Sequence, residues 1–216
     1  MRVIEKFISI NGEGLKQGEL SVFIRFANCN LRCIYCDTAY SYHSPKYIEE
    51  SVSEIVDYIL STGVKNVTLT GGEPLLQSEI KELILSLNIH DISVEIETNG
   101  SISILPFREV KNVSFTLDYK TPSSGEEEKM DLQNYNYITK NDSIKFVCGT
   151  KNDLIRSKEI MDQFNLYNRT NCLISPVYGD IEPYEIVEFM KNNKMNQVRL
   201  QLQIHKIIWD KDKRGV

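Results

Sequence analysis

The sequence predicts an α/β fold built around a mainly parallel sheet. Apolar runs that suit strands alternate along the chain with stretches whose apolar residues recur at helical spacing. Strands that alternate with helices are typical of βαβ units, in which the strands run parallel. Glycine-rich or polar stretches follow several of these strands, at the edge where such folds collect ligands. The 216 residues are most simply one domain, residues 1–216.

Seven strands and four helices are expected from these patterns. The predicted strands cover residues 21–26, 64–70, 92–97, 113–117, 143–147, 172–175 and 197–202. The predicted helices cover residues 48–60, 76–87, 151–164 and 183–192, with Gly63 as the stop signal of the first. Residues 121–140 form a long polar connection, and residues 125–135 within it are expected to be a solvated loop.

The composition excludes several classes of protein. A hydrophobic share of 41% and a charged share of 25% are typical of a soluble globular protein. The net charge of −5 gives no basic surface of the kind that binds nucleic acid. No apolar run is as long as a membrane span, and the first residues lack the apolar core of a signal peptide. We therefore expect a cytoplasmic protein without membrane contact.

Three of the five cysteines fall within eight residues, which indicates a metal or redox site. Cys29, Cys33 and Cys36 have the spacing Cys-x3-Cys-x2-Cys, while Cys148 and Cys172 stand alone. Structural zinc takes four ligands, usually from two cysteine pairs, and no second pair exists here. Three thiolates can instead hold three irons of a [4Fe–4S] cluster and leave the fourth iron for an outside ligand. A zinc loop or incidental cysteines remain the alternatives.

The cysteine stretch resembles that of the radical S-adenosylmethionine (SAM) superfamily, including the aromatic Tyr35 before the third cysteine. In that superfamily the methionine amino and carboxyl groups of SAM chelate the open iron. The stretch 70–74, Thr-Gly-Gly-Glu-Pro, resembles the superfamily's glycine-rich SAM motif, because paired glycines let backbone approach a ligand closely. Glu73 could then accept hydrogen bonds from the SAM ammonium. Read alone, the same stretch is a tight turn between a strand and a helix.

Further motifs resemble one family within this superfamily, the 7-carboxy-7-deazaguanine synthases, over nearly the whole chain. They are Ser-Ile-Asn-Gly-Glu-Gly at 9–14, Phe-Ile-Arg-Phe at 23–26, Cys-Asp-Thr at 36–38, Thr-Gly-Gly-Glu-Pro at 70–74, Glu-Thr-Asn-Gly at 97–100, Lys120 with Pro-Ser-Ser at 122–124, and Gln-Ile-His-Lys at 203–206. Three departures are visible. Asn11 replaces the usual glutamine, Ile204 a frequent threonine, and Asp118-Tyr119 a frequent Ser-Pro.

The resemblance implies a modified, incomplete (β/α)6 barrel of the radical SAM type and a homodimer. It implies a carbon–nitrogen lyase of queuosine and deazapurine biosynthesis that converts 6-carboxy-5,6,7,8-tetrahydropterin to 7-carboxy-7-deazaguanine with loss of ammonia. The implied cofactors are a [4Fe–4S] cluster, Mg²⁺ and SAM, which is regenerated in each turnover. A reductant such as flavodoxin or ferredoxin is the implied partner, and no direct contact with nucleic acid is expected.

The same resemblance assigns the site residues. Those for the cluster are Cys29, Cys33 and Cys36. Those for SAM are Tyr35, Cys36, Asp37, Gly72, Thr98, Asp118, Lys120 and Ser175. Those for the pterin are Ile10, Asn11, Gly12, Glu13, Arg25, Thr70 and His205, and Thr38 is assigned to Mg²⁺. Arg25 suits a carboxylate because its guanidinium binds bidentately. No protein side chain is expected to act as general base.

Two other functions remain open at this point. A glycyl-radical-activating enzyme has the same cysteine spacing and a similar size, but it would act on a protein backbone and would not need a metal at Thr38. A cysteine-rich zinc- or iron-binding module would have no catalytic activity. Metal and sulfide analysis separates the binding module from either enzyme.

Overall fold

A computed structural model describes residues 1–43, 45–210 and 213–216. Its strands are β1 Arg2–Ile10, β2 Leu20–Phe26, β3 Ile48–Glu49, β4 Asn66–Gly71, β5 Ser93–Thr98, β6 Val113–Lys120, β7 Ser143–Cys148, β8 Asn171–Pro176 and β9 Val198–Leu200. Its α-helices are α1 Val52–Thr62, α2 Ile80–Ile89, α3 Lys151–Gln163, α4 Pro183–Asn192 and α5 His205–Ile208. None of these described helices is long and apolar enough to cross a membrane.

The described strands form one sheet in the order β3-β1-β2-β4-β5-β6-β7-β8-β9. From β2 through β4 to β9 every neighbouring pair is parallel, whereas β1 pairs antiparallel with both β2 and β3. The edges β3 and β9 are not paired with each other, so the sheet is an open, incomplete barrel. The carboxyl ends of the parallel strands therefore share one rim of this barrel.

The two faces of the sheet differ in polarity, because successive side chains on a strand point to opposite faces. Val67 and Leu69 of β4 belong to the hydrophobic core, together with Ile55 of α1 and Leu83 of α2. The alternate residues of the strands are polar and buried. They are Ser21, Thr68, Thr70, Glu95, Thr116, Ser143 and Lys145. The fold therefore lines the inside of the barrel with groups that can bind a polar ligand.

The start of the first helix differs from the sequence prediction. Residues 48–60 were expected to be helical, but Ile48–Glu49 is the short strand β3, and α1 begins only at Val52. The Ser51 hydroxyl accepts a hydrogen bond from the Glu54 backbone N–H, and the Glu54 carboxylate accepts one from the Ser51 N–H. This capping box fixes where the helix starts. Gly63 ends the helix in a left-handed conformation, as expected.

The second helix also starts later than the predicted residue 76, and β1 was missed entirely. A single 3₁₀ turn at Pro74–Leu76 precedes α2, which begins at Ile80. Gln77, between them, donates to the Ala27 carbonyl and accepts from the Arg2 N–H, which ties it to the sheet. In β1 the charged pair at positions 5 and 6 interrupts the apolar pattern that would have revealed a strand.

The connection at 121–140 is not the solvated loop expected for residues 125–135. It contains three 3₁₀ helices, Pro122–Ser124, Glu127–Lys129 and Leu132–Asn136. Asn134 is fully buried, and its amide accepts from the Ile104 N–H and donates to the carbonyls of Gly100 and Ile102. The Tyr135 ring packs against Phe164. The segment is a structural cover over the ends of β5 and β6.

Candidate active site

A cavity of about 780 Å³ opens at the rim formed by the carboxyl ends of the parallel strands. Most of the residues predicted for the site lie on its wall. They are Ile10, Gly12, Glu13, Arg25, Cys29, Cys33, Tyr35, Cys36, Asp37, Thr38, Thr70, Gly72, Thr98, Asp118, Lys120 and His205. Sequence motifs that are up to about two hundred residues apart thus converge on one cavity.

Asn11 and Ser175 are the two predicted residues that do not reach the cavity wall. Asn11 is buried, and its side-chain oxygen accepts a hydrogen bond from the Thr68 hydroxyl at 2.8 Å. The shorter asparagine is therefore bound to the inside of the sheet. Ser175 is also buried, and its hydroxyl has no hydrogen-bond partner among the described residues. For both residues, ligand contact stays a prediction.

The cysteine loop lies directly on the glycine-rich turn after β4. The Gly72 N–H donates to the Phe26 carbonyl, and the Glu73 N–H donates to the Asn28 carbonyl at 2.8 Å. A Cβ atom on Gly72 would lie 2.0 Å from the Asn28 carbonyl oxygen, a distance that no side chain can occupy. Glycine is therefore required at position 72 so that the two motifs can touch.

The three loop cysteines are free thiols that face the cavity. Burial raises the pKa of Cys33 to about 11, although the Lys120 ammonium lowers it, and burial also raises the pKa of Cys29. Metal binding to these thiols would therefore release protons. Among the described residues no three Cys, His, Asp or Glu side chains are arranged to hold one metal ion. In an iron–sulfur cubane each cysteine would ligate a different iron, so three free thiols on one loop suit such a cluster.

Glu73 does not lie on the cavity wall, and its suggested contact with the SAM ammonium stays a prediction. It is fully buried and accepts hydrogen bonds from the Asn99 N–H, the Thr98 hydroxyl and the Leu75 N–H, at 2.7, 2.9 and 3.0 Å. Burial raises the pKa of Glu73 to about 7, against the effect of these donors. Its carboxyl group thus joins the turn after β4 to the end of β5, and it orients Thr98 on the cavity wall.

Two lysines and two carboxylates form a buried ionic chain across the cavity. Lys120 Nζ donates to Asp118 Oδ2 at 2.6 Å, and Lys145 Nζ lies 3.2 Å from Asp118 Oδ1. Lys145 Nζ also donates to Glu13 Oε2 at 3.0 Å. Burial alone would raise the pKa of Asp118, but the two ammonium groups outweigh it and hold this pKa below its ordinary value. The carboxylate of Asp118 is therefore kept ionised.

Arg25 is held in place by Glu5, a residue that the sequence analysis did not identify. Arg25 Nε donates to Glu5 Oε1 at 2.6 Å, and the Tyr40 hydroxyl donates to the same oxygen at 3.2 Å. Burial works against the charge of Arg25, but Tyr40 and Glu5 raise its pKa above the ordinary value. Because only Nε is bound to Glu5, the other guanidinium nitrogens remain for an acidic ligand.

The loop after the third cysteine contacts the segment that follows β9. The Thr38 hydroxyl donates to Asp37 Oδ1 at 2.9 Å, and Lys206 Nζ donates to Asp37 Oδ2 at 3.2 Å. Next to Lys206, His205 packs over Gly12 so closely that a Cβ there would lie 2.0 Å from its Nδ1 atom. Burial lowers the pKa of His205, which favours the neutral imidazole.

Glu5, Tyr40, Glu97 and Lys145 line the cavity but were missed from the sequence. For Lys145 the available signal was a charged residue inside an otherwise apolar strand. Lys145 interrupts the apolar run of β7 opposite Asp118, its register partner on β6. Glu97 occupies the corresponding place near the end of β5.

Comparisons with known proteins agree with this arrangement. The model of the Radical SAM superfamily matches residues 23–191. A 7-carboxy-7-deazaguanine synthase of Clostridium acetobutylicum is 56% identical over 218 residues, which cover 100% of this chain and 99% of that protein. One from Leptospira interrogans is 37% identical and covers 99% of this chain and 97% of its own length.

A solved structure supports the fold. The crystal structure of QueE from Escherichia coli aligns with a TM-score of 0.74 at 20% sequence identity, over 93% of this chain and 92% of that one. At this identity the likeness establishes the architecture alone. Together with the superfamily match and the open nine-stranded sheet, it confirms the predicted incomplete α/β barrel.

Proposed function

The chain belongs to the radical SAM superfamily and, within it, to the 7-carboxy-7-deazaguanine synthases, and we propose that it converts 6-carboxy-5,6,7,8-tetrahydropterin to 7-carboxy-7-deazaguanine with loss of ammonia. One observation carries the proposal: the cysteine loop, the glycine-rich turn and the Arg25–Glu13 region line one cavity. A cluster-bound cofactor and a small acidic, amine-bearing substrate would thus meet in the same space. The product would serve queuosine or another deazapurine pathway.

The superfamily implies a [4Fe–4S] cluster and SAM, and the residues present fit both. Three free thiols on one loop suit a cubane with an open iron, and Gly72 lies beside them on the cavity wall. When bound, these groups supply a carbon-centred radical that can abstract a hydrogen atom. The protein would hold SAM with Tyr35, Cys36, Asp37, Gly72, Thr98, Asp118, Lys120 and Ser175. Its other task is to exclude water from the reacting carbon.

The pterin would lie between Arg25 and Glu13. The guanidinium of Arg25 suits the substrate carboxylate. Glu5 orients this guanidinium by accepting a hydrogen bond from its Nε atom. Glu13 lines the cavity and its buried Oε1 atom has no hydrogen-bond partner among the described residues, which supports a role in accepting a hydrogen bond from an amino edge of the substrate. The remaining predicted contacts are Ile10, Asn11, Gly12, Thr70 and His205. No general base is required of the protein in this scheme.

Mg²⁺ bound through Thr38 is part of the proposal. Mg²⁺ prefers oxygen and is commonly held by few protein ligands together with substrate oxygens. The Thr38 hydroxyl lies on the cavity wall beside Asp37, so it can contribute one such oxygen next to the substrate carboxylate. A reductant such as flavodoxin or ferredoxin and a homodimeric assembly complete the proposal, and neither requires contact with nucleic acid or a membrane.

We predict that Thr38→Ala weakens the response to Mg²⁺ while it leaves cluster content and SAM binding intact. In the parent protein, Mg²⁺ should raise turnover severalfold and EDTA should lower it, because the ion would neutralise the substrate carboxylate. Thr38→Ser is the matched control and should keep most of the response, since it keeps the hydroxyl. Equal stimulation by Mg²⁺ in the alanine variant and the parent would remove Thr38 from the metal site.

The proposed reaction is tested by mass spectrometry of the products that the anaerobically reduced protein forms from the carboxytetrahydropterin and SAM. We expect 7-carboxy-7-deazaguanine and ammonia in equal amounts. SAM cleavage to methionine and 5′-deoxyadenosine with no deazaguanine product, but with a radical on an added protein, would favour the glycyl-radical-activating alternative instead.

A further inference from the structure

Among the residues that the structure describes, Lys145 is a buried lysine of the cavity wall to which the proposed reaction gives no role. It lies on β7 with 8% of its side chain exposed, and it forms ion pairs with two carboxylates that belong to different parts of the barrel. Glu13 comes from the segment between β1 and β2, and Asp118 comes from β6. Glu97 of β5 is a third carboxylate that interacts with it electrostatically.

The two carboxylate oxygens of Glu13 differ, because Lys145 binds only one of them. Glu13 Oε2 accepts from Lys145 Nζ at 3.0 Å, whereas Oε1 is buried and has no hydrogen-bond partner among the described residues. A buried carboxylate oxygen without a partner is costly unless a ligand supplies a donor. Lys145 therefore fixes how the Glu13 carboxylate is oriented on the cavity wall, with Oε2 bound and Oε1 left without a donor.

Asp118 anchors this arrangement from the other side. Its Oδ2 atom is occupied by Lys120 at 2.6 Å, so Asp118 stays in place whether or not Lys145 is present. Lys145 and Asp118 are also register partners on neighbouring parallel strands, which fixes the lysine stem. The order of contacts is Lys120, Asp118, Lys145 and Glu13, with the free oxygen at the end.

We propose that Lys145 is a positioning residue that aims Glu13 at the amino edge of the pterin. This rests on the proposed function, because it names how one of the substrate contacts is oriented. Loss of the lysine should therefore disturb the carboxylates around it. Glu13, Glu97 and Asp118 would then share a buried region with less positive charge, and Glu13 would turn away from the ligand.

The test measures pterin binding to the holoprotein with SAM present and the cluster left oxidised, so that no turnover occurs. Lys145→Met should weaken binding of the carboxytetrahydropterin by about tenfold or more, because truncating one partner of a buried charge pair has effects of that size. SAM affinity should stay within about threefold of the parent, since Lys120 still holds Asp118.

A double-mutant cycle tests whether Lys145 acts through Glu13. Glu13→Gln should weaken pterin binding as well, and Glu13→Gln combined with Lys145→Met should be no more than about threefold weaker than the weaker single variant. The double variant also removes the charge imbalance, so it remains informative if Lys145→Met folds poorly. The proposal would be overturned if the affinity losses of the two single variants multiplied in the double variant. It would also be overturned if Lys145→Met bound pterin like the parent.

Lys16→Met is the matched control. Lys16 lies on the same segment as Glu13 and is half-buried, but its ammonium bonds to Ser93 Oγ and Asn66 Oδ1, away from the cavity. This variant should bind pterin like the parent, and an equal loss there would show a general structural effect and contradict a specific role for Lys145. A parent protein that binds no pterin would refute the proposed function itself, whereas a binding parent with an unaffected Lys145→Met refutes only the positioning role.

Discussion

Cys33→Ala should abolish both the brown chromophore and the cleavage of SAM. Each of the three loop cysteines would ligate a different iron, so the loss of one leaves two ligands for the cluster. Mutating a residue that only hydrogen-bonds to a metal ligand lowers metal affinity or activity by about 10–100-fold. Removal of a direct ligand should therefore reduce SAM cleavage by more than about 100-fold. The parent, reconstituted without oxygen, should contain about four irons and four sulfides per chain.

The remaining two cysteines provide the matched controls for this result. Cys148 and Cys172 are buried in β7 and β8 within the hydrophobic core, where a free cysteine behaves as a small apolar residue. Cys148→Ala and Cys172→Ala should therefore keep the iron content, the visible spectrum and SAM cleavage. If either proved as necessary to the cluster as Cys33, the three-ligand assignment would be wrong.

Gly72→Ala should disrupt the site through a single methyl group. The new Cβ would lie 2.0 Å from the Asn28 carbonyl oxygen and 3.0 Å from the Cys29 nitrogen, so the cysteine loop must move away from the turn. Overpacking costs about 1–3 kcal/mol, and about 1.4 kcal/mol is a factor of ten in affinity. We expect SAM to bind at least about tenfold more weakly and cluster content after reconstitution to fall.

Gly149→Ala is the control for the glycine substitution. A Cβ at position 149 would meet the end of the Asp180 side chain at 3.3 Å, and that group can move slightly. Both glycines lack the left-handed backbone that would add strain of its own, so the comparison isolates the contact with the cysteine loop. Normal cluster content and SAM affinity in Gly72→Ala would show that the two motifs need not touch.

The sequence was most informative where one periodic pattern decided the structure. The parallel strands β4 to β8 and the helix Pro183–Asn192 were predicted because their apolar residues form runs or recur at strand or helical spacing. Short motifs that follow successive strands identified one rim of the barrel, because the carboxyl ends of parallel strands lie at the same edge. The start of α1 depends instead on a local motif, because the capping box formed by Ser51 and Glu54 sets it.

Other parts of the site depend on contacts that no local pattern reveals. Glu5 and Lys145 are charged residues within strands, and only the three-dimensional register shows that they face Arg25 and Asp118. The burial of Asn134 depends on backbone groups about 30 residues away in the chain, so a polar segment was mistaken for a solvated loop. Asn11 is one methylene group shorter than the usual glutamine, and its contact with Thr68 could be found only in the folded chain.

The measurement that tests the central claim most directly counts product molecules formed per SAM. The reduced protein is supplied with carboxytetrahydropterin deuterated at carbon six and with about a tenth as much SAM as pterin. If SAM acts as a recycled cofactor beside a bound pterin, 7-carboxy-7-deazaguanine should exceed the SAM supplied manyfold. Deuterium should then reach the product through 5′-deoxyadenosine. Methionine and 5′-deoxyadenosine that accumulate in step with consumed SAM, without excess deazaguanine, would contradict the account.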